Sequence, residues 1–358
     1  MEIRRDIYLN RLIKRKNNGM AKVITGIRRC GKSYLLFNLY RSHLISEGVP
    51  DDHIIKVDLD GIESRELRDA LNLYLHVKAL IVDNDPYYIF LDEIQYVEGF
   101  TDVVNSLLRM SNVDVYITGS NSRFLSTDIL TEFRGRGDEV RVYPLCFSEY
   151  VSAYSGSIDQ TWKDYYTFGG MPLIVSREDD EMKAAYLSNL LNTVYLRDIC
   201  ERNDVRHVDE LDALINILAS SVGSLTNPSK LQRTFKSTQN NPITDKTIKI
   251  YIDYLKDAFL LESAQRFDVK GRRYIDTPLK YYFVDVGLRN VCLGFRQQEE
   301  NHIMENVIFN ELKVRGYAVD VGIVTTTETD TEGKRREKRL EVDFIARRGN
   351  DQCYIQSA

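Results

Sequence analysis

The stretch Gly26-Ile27-Arg28-Arg29-Cys30-Gly31-Lys32-Ser33 fits the pattern G-x-x-x-x-G-K-[ST] without a mismatch. Glycines at both ends let the backbone curl until its N–H groups converge on phosphate oxygens, and a helix N-terminus behind them adds partial positive charge. A lysine after the second glycine reaches the β- and γ-phosphates, and the next hydroxyl ligates Mg²⁺. Such a site needs a further acid at the end of another buried strand. Tyr87-Tyr88-Ile89-Phe90-Leu91-Asp92-Glu93 supplies two. Asp92 is the candidate metal ligand, with Ser33, and Glu93 the candidate general base that polarises an attacking water. A third apolar run, Val113 to Thr118, ends in Gly119-Ser120-Asn121-Ser122, where a polar side chain could orient that water.

These residues need particular elements to hold them. Ala21–Thr25 reads as a short buried strand, and Ser33–Glu47 has apolar residues at 35, 36, 39, 40 and 44, a helical period closed by Gly48. Strand, glycine loop, helix is the order the motif requires. Further strands are expected at Ile54–Asp58 and Glu139–Tyr143, with helices at Leu67–Ile81 and Phe100–Met110. Strands alternating with helices predict a parallel α/β sheet over residues 1–150, with nucleotide at the carboxyl ends of the strands.

The strings GIRRCGKS, YYIFLDEIQ, VYITGSNSRFL and RGRG…YPLCFSEY resemble the AAA-type ATPases of prokaryotes that carry a C-terminal domain of unknown function, whose core is of the AAA+ superfamily. YYTFGGMPLI, YLRDI, YYFVDVGLRN and HIMENVIFNELKVRGY resemble that family's downstream segments, so the likeness covers nearly the whole chain. It implies ATP and Mg²⁺ as cofactors, Ser120 or Asn121 as sensor 1, and Arg136 as an arginine finger acting on a neighbouring copy. Spacing does not choose between Ser120 and Asn121, and an arginine between glycines is equally a solvated turn residue.

Downstream, residues 151–206 read as a helical, aromatic-rich lid or linker, broken at Gly169-Gly170-Met171-Pro172. Residues 207–290 predict a winged helix-turn-helix. One helix spans Val208–Val222; a second has Asn227 as N-cap and Pro228 at its first position; a third runs from Asp245 behind Thr244. Strand-like runs at Leu261–Phe267 and Lys280–Val284 follow, joined by the basic segment Lys270-Gly271-Arg272-Arg273. If the third helix reads DNA, Lys246, Thr247 and Lys249 meet phosphates or base edges, and Arg272 and Arg273 sit on the backbone. Winged helices also serve as protein-interaction modules.

Residues 291–358 read as a helix, Asn301–Arg315, followed by strands at Tyr317–Gly322, Leu340–Ala346 and Cys353–Gln356. This order is similar to the start of the PD-(D/E)xK nuclease core, in which carboxylates hold Mg²⁺ and a lysine helps activate water. Glu305 or Glu311 would be the first acid and Asp343 the second. Gln356-Ser357-Ala358 stands where Glu-x-Lys belongs, which predicts a degenerate, non-cutting fold. Thr325–Lys338, with Lys334-Arg335-Arg336, reads as a mobile loop.

Composition bounds these readings. The chain has 358 residues, 43% hydrophobic and 28% charged, as in ordinary globular proteins of two or three domains. No apolar run approaches a membrane span, and Met1 to Asp6 lack a signal-peptide core. The five cysteines have no CxxC spacing, which argues against a disulfide framework or zinc site and for the cytoplasm. The net charge of −5 offers no general attraction to nucleic acid, yet residues 1–41 hold eleven Lys/Arg against two acids, and residues 230–280 eleven against six. The fold expected is α/β: a P-loop NTPase parallel sheet with helices, then a winged helix-turn-helix and a small α/β nuclease-like domain. The function expected is Mg²⁺-dependent ATP hydrolysis coupled to remodelling of, or movement on, a nucleic-acid or protein partner, with no membrane partner and with self-assembly open. An ATP-gated winged-helix regulator with slow turnover is the alternative; an ATP-dependent nuclease is disfavoured by Gln356 and Ala358.

Overall fold

The computed structural model describes residues 3–120, 133, 135–154, 156–239, 243–296, 300–329 and 335–357. They form two compact units, Glu2–Tyr143 and Pro144–Ala358. Asn121, Lys334 and Ala358 lie outside the described residues.

The first unit is built on five strands: β1 (Ala21–Thr25), β2 (Ile54–Asp58), β3 (Tyr87–Asp92), β4 (Val113–Gly119) and β5 (Gly137–Arg141). Their order is β2-β3-β4-β1-β5, and every adjacent pair is parallel. Parallel sheets are covered on both faces, which is why β1 and β3 are buried along their whole length. Val23, Ile89, Leu91 and Ile117 enter one core cluster with Leu73 and Val77 of the helix Ala70–Leu80 and Val104 and Leu107 of the helix Phe100–Leu107. At the amino end of the sheet, the fully buried Lys22 on β1 is paired with Asp114 on β4, whose other oxygen accepts from Tyr116 at 2.7 Å. Removing either charge alone would strand its partner in the core.

In the second unit, helices cover Phe147–Ala153, Ile158–Phe168 and residues 180–203, then Val208–Ser220, Pro228–Gln239 and Asp245–Asp257. Asn227 Oδ1 accepts from Lys230 N at 2.8 Å, so the expected cap is made, and Thr244 Oγ1 caps the third helix by accepting from Thr247 N at 3.1 Å. β6 (Leu261–Asp268) and β7 (Arg273–Phe283) form an antiparallel hairpin, and helices Val286–Cys292 and Glu300–Val314 precede β8 (Ala318–Thr329), β9 (Arg335–Arg348) and β10 (Asp351–Ile355).

The sequence expectations need two corrections here. The hairpin and the last three strands are not separate: one sheet runs β10-β9-β8-β6-β7, with β6 parallel to β8 at Arg266↔Val321 to Asp268↔Ile323. The free edge of β6 would otherwise expose unpaired backbone groups, and β8 covers it. A boundary at residue 290 therefore cuts through a common core, in which Ala264 and Tyr282 pack with Phe309, Val321 and Phe344. Second, Thr325–Thr329 and Arg335–Lys338, expected as a loop, continue the β8–β9 ladder out to Thr329↔Arg335. Three threonines in succession from Thr325 favour extended backbone.

Candidate nucleotide-binding site

The glycine loop leaves the carboxyl end of β1 and enters a helix that spans residues 32–46. Gly26 has φ 139°, and a Cβ there would lie 2.0 Å from the Val142 carbonyl oxygen, so glycine is required at this close approach. Gly31, at φ 98°, turns the chain into the helix. Between them Arg29 also takes a left-handed conformation, at φ 61°. Lys32 is only 4% exposed and its ammonium folds back over the loop, donating to the carbonyls of Gly26 at 3.1 Å and Ile27 at 3.2 Å. Cys30 is fully buried and donates to the Val142 carbonyl at 3.4 Å; burial raises its thiol pKa, so it serves packing rather than nucleophilic chemistry.

Arg5 is a residue that motif reading misses. It is buried and reaches the Cys30 carbonyl at 3.0 Å and the Tyr143 carbonyl at 2.6 Å, tying the glycine loop to the chain beyond β5. Tyr8, on the helix Asp6–Ile13 that Arg5 precedes, accepts from Tyr143 N at 3.1 Å. The only signal in the sequence was the basic balance of the first 41 residues.

The carboxyl end of β3 lies two strands away, separated from β1 by β4. The Ser33 hydroxyl lies close enough to Asp92 to favour its carboxylate form, which sets the two motifs side by side. Burial pushes the Asp92 carboxyl above its ordinary range, opposed by the Thr118 hydrogen bond, the nearby Ser33 hydroxyl and the charge of Lys32. Thr118 Oγ1 donates to Asp92 Oδ1 at 2.5 Å and accepts from Glu93 N at 2.9 Å. Glu93 itself is left-handed, φ 50°, an unusual conformation for a residue with a side chain. Its Oε2 accepts from Ser120 Oγ at 3.1 Å and from Gln95 Nε2. Ser120 is thus brought to the acid pair, while Asn121 falls outside the described residues. Thr118 and Gln95 were not singled out in the sequence; a polar side chain inside the buried strand β4 was the available clue.

Arg136 is exposed and its carbonyl accepts from Ala21 N at 2.8 Å, which places it at the amino end of β1. The glycine loop sits at the other end of that strand, roughly 16 Å away at the usual rise per residue. Arg136 does not reach the nucleotide site of its own chain. It lines a shallow cavity with Asp102, Asn105, Ser106 and Arg109.

In the second unit, Lys246 and Lys249 are exposed on the helix Asp245–Asp257, and Thr247 is half-buried with its hydroxyl 2.8 Å from that of Thr244. Arg272 and Arg273 are exposed at the β6–β7 turn, whose Lys270 donates to the Thr325 carbonyl of β8 at 3.0 Å.

The three-strand segment brings together Glu305, Asp343 and Gln356 but not Glu311, which instead accepts from Phe147 N at 3.0 Å at the start of a helix. Asp343 Oδ2 accepts from Gln356 Nε2, Ser357 N and Ser357 Oγ, each at 2.8 Å. Lys280 of β7 enters the same cluster, 2.9 Å from Glu305, 2.7 Å from Glu341 and 3.9 Å from Asp343. Lys280 and Glu341 were invisible as partners in the sequence because the β6·β8 pairing that joins their parts of the chain is long-range.

Among the described residues no helix is long and apolar enough to cross a membrane. An AAA domain matches residues 18–151, and a domain of unknown function (DUF8612) matches residues 159–299. An uncharacterized protein of Haemophilus influenzae is 35% identical over 99% of this chain and 86% of its own length. The uncharacterized protein MJ1544 of Methanocaldococcus jannaschii is 29% identical over 96% of this chain and 74% of its own. Among solved structures, the Walker-type ATPase PABY2304 of Pyrococcus abyssi shares the fold at a TM-score of 0.58, with 14% identity over 82% of this chain and 96% of that one. With an AAA domain leading into a domain of unknown function, and a relative of this identity along nearly its entire length, the chain belongs to this family of proteins with the AAA+ P-loop ATPase fold.

Proposed function

We propose that the chain is a Mg²⁺-dependent ATPase of AAA+ type whose hydrolysis remodels, or drives movement on, a nucleic-acid or protein partner. The observation that carries this reading is the Thr118 bridge between Asp92 and Glu93, with the Ser33 hydroxyl near Asp92 on the other side. Two oxygen ligands for a hard cation stand side by side, and a carboxylate is held next to them; a module that only binds nucleotide has no need of that third group.

In this reading the backbone of Gly26, Ile27, Arg28, Arg29, Cys30 and Gly31 cradles the phosphates, and Lys32 releases its loop carbonyls to meet them. Ser33 and Asp92 hold Mg²⁺, which when bound neutralises phosphate charge. Thr118 fixes the left-handed turn at Glu93, and Glu93 takes the proton of the attacking water once Ser120 and Gln95 let its carboxylate swing toward it. Arg136, at the amino end of β1, acts on the nucleotide of a second copy.

The partner face is the helix Asp245–Asp257 with the β6–β7 turn, where Lys246, Thr247, Lys249, Arg272 and Arg273 present exposed or half-exposed donors for DNA phosphates. That basic face also supports the second reading, an ATP-gated DNA-binding switch. The ATPase rate without polymer and with duplex or single-stranded DNA, together with particle mass in ATP, separates them. DNA stimulation with a mass increase in ATP supports a motor; slow turnover unmoved by DNA, with DNA affinity that depends on ATP, supports the switch; no nucleotide binding overturns both.

A further inference from the structure

The cluster on the second sheet has a composition that the nucleotide site does not explain. Glu305 on the helix Glu300–Val314, and Glu341 and Asp343 on β9, send carboxylate oxygens toward one point, which the Lys280 ammonium occupies. Lys280 is 3% exposed, Glu305 8% and Asp343 8%. Tyr282 donates to Glu305 at 2.6 Å, while Gln356 and Ser357 saturate the outer oxygen of Asp343. Glu305 and Asp343, removed from water, need a counter-charge or a full set of donors, and the chain supplies both, while Glu341 closes the cluster from its solvent side.

A divalent cation at this point would need open oxygen lone pairs at about 2.0–2.6 Å and room for water. The set present does not fit it: the Lys280 ammonium fills the central position, and the last strand contributes the Gln356 amide where the nuclease pattern has an acid. Among the described residues no group of three or more His, Cys, Asp or Glu is arranged to hold a metal.

We propose that Lys280 is the resident cation of this cluster, standing where a divalent metal would otherwise sit, so that the helix-and-three-strand segment is metal-free and serves as a fixed joint. The joint ties β7 to the helix Glu300–Val314 and to β9 through a single tethered ammonium. It holds whether or not the first unit hydrolyses ATP.

The test is a Mn²⁺ titration of the full-length chain without nucleotide, followed by the resonance of free Mn²⁺, for the unaltered protein and for Asp343→Asn, Lys280→Met and Lys280→Arg. The unaltered chain and Asp343→Asn should bind the same number of ions with the same affinity. Lys280→Met should gain one site that binds at least about tenfold more tightly than any background at the cluster, and Asp343→Asn in that variant should remove it. Lys280→Arg, which keeps a cation, should fold and gain no site. A Mn²⁺ site in the unaltered chain that disappears with Asp343→Asn would overturn the proposal. So would a site gained by Lys280→Arg. Should Lys280→Met fail to fold, the unaltered, Asp343→Asn and Lys280→Arg arms decide alone.

Discussion

The hydroxyl of Thr118 donates to the carboxylate of Asp92 at 2.5 Å, across the pairing of β3 with β4. The same oxygen accepts the Glu93 amide, so one side chain bears both on the carboxyl of Asp92, the proposed metal ligand, and on the backbone of Glu93, the proposed base. Thr118→Val keeps the shape and removes both bonds. Turnover should fall about tenfold, the cost of one or two unmet hydrogen bonds. Because the Thr118 bond lowers the Asp92 pKa, its loss should also move the acid limb of the kcat/KM profile to higher pH. Thr118→Ser should restore both; a Val variant with an unshifted profile would remove Thr118 from this role.

Lys32→Ala should weaken ATP binding by at least about tenfold, since a charge-assisted hydrogen bond contributes on the order of 1.5–3 kcal/mol. Calorimetric titration with ATP measures it, and retained affinity would sink the assignment of the glycine loop.

Glu93→Gln should bind ATP as the unaltered chain does and turn it over at least tenfold more slowly, in keeping with typical general-base contributions of about 10²–10⁴. Single-turnover hydrolysis separates this from a binding defect. An unchanged rate would leave Glu93 as a loop carboxylate bonded to Ser120 and Gln95.

Reversing the charge of Lys246, Lys249, Arg272 and Arg273 together should weaken duplex binding and flatten the dependence of log K on log salt by roughly one unit for each phosphate that is no longer neutralised. Fluorescence anisotropy at several salt concentrations gives the slope. If the slope is the same, DNA does not bind through this face.

Asp285 offers a pH test of the second unit. It is buried and accepts from Gly170 N at 2.7 Å and Leu288 N at 3.0 Å, and burial pushes its carboxyl from 3.8 to about 6 despite these bonds. A folded-state value above the unfolded one means that its contribution is present below pH 3.8 and is lost as pH rises through 6. The amplitude is on the order of 3 kcal/mol. Asp285→Asn should flatten the fall of Tm between pH 4 and 6; an unchanged slope would show that other groups titrate there. Gly169 cannot be replaced in the same experiment, because a Cβ at its φ of 74° would lie 2.2 Å from Asp285 Oδ1.

Local pattern determined the strands and the glycine loop of the first unit. The bounds of β1 and β2 and the Gly26–Ser33 loop there, and the Asn227 cap in the second unit, all follow from residues adjacent in the chain, because apolar runs, glycine conformations and caps act within a few positions. What only the tertiary structure decided is which distant residues meet. Thr118 beside Asp92, Arg5 under the glycine loop, Arg136 at the far end of β1, and Lys280 among Glu305, Glu341 and Asp343 depend on strand order and register. The β6·β8 pairing shows why: an open strand edge must be covered by something, but no short-range pattern says which strand will cover it.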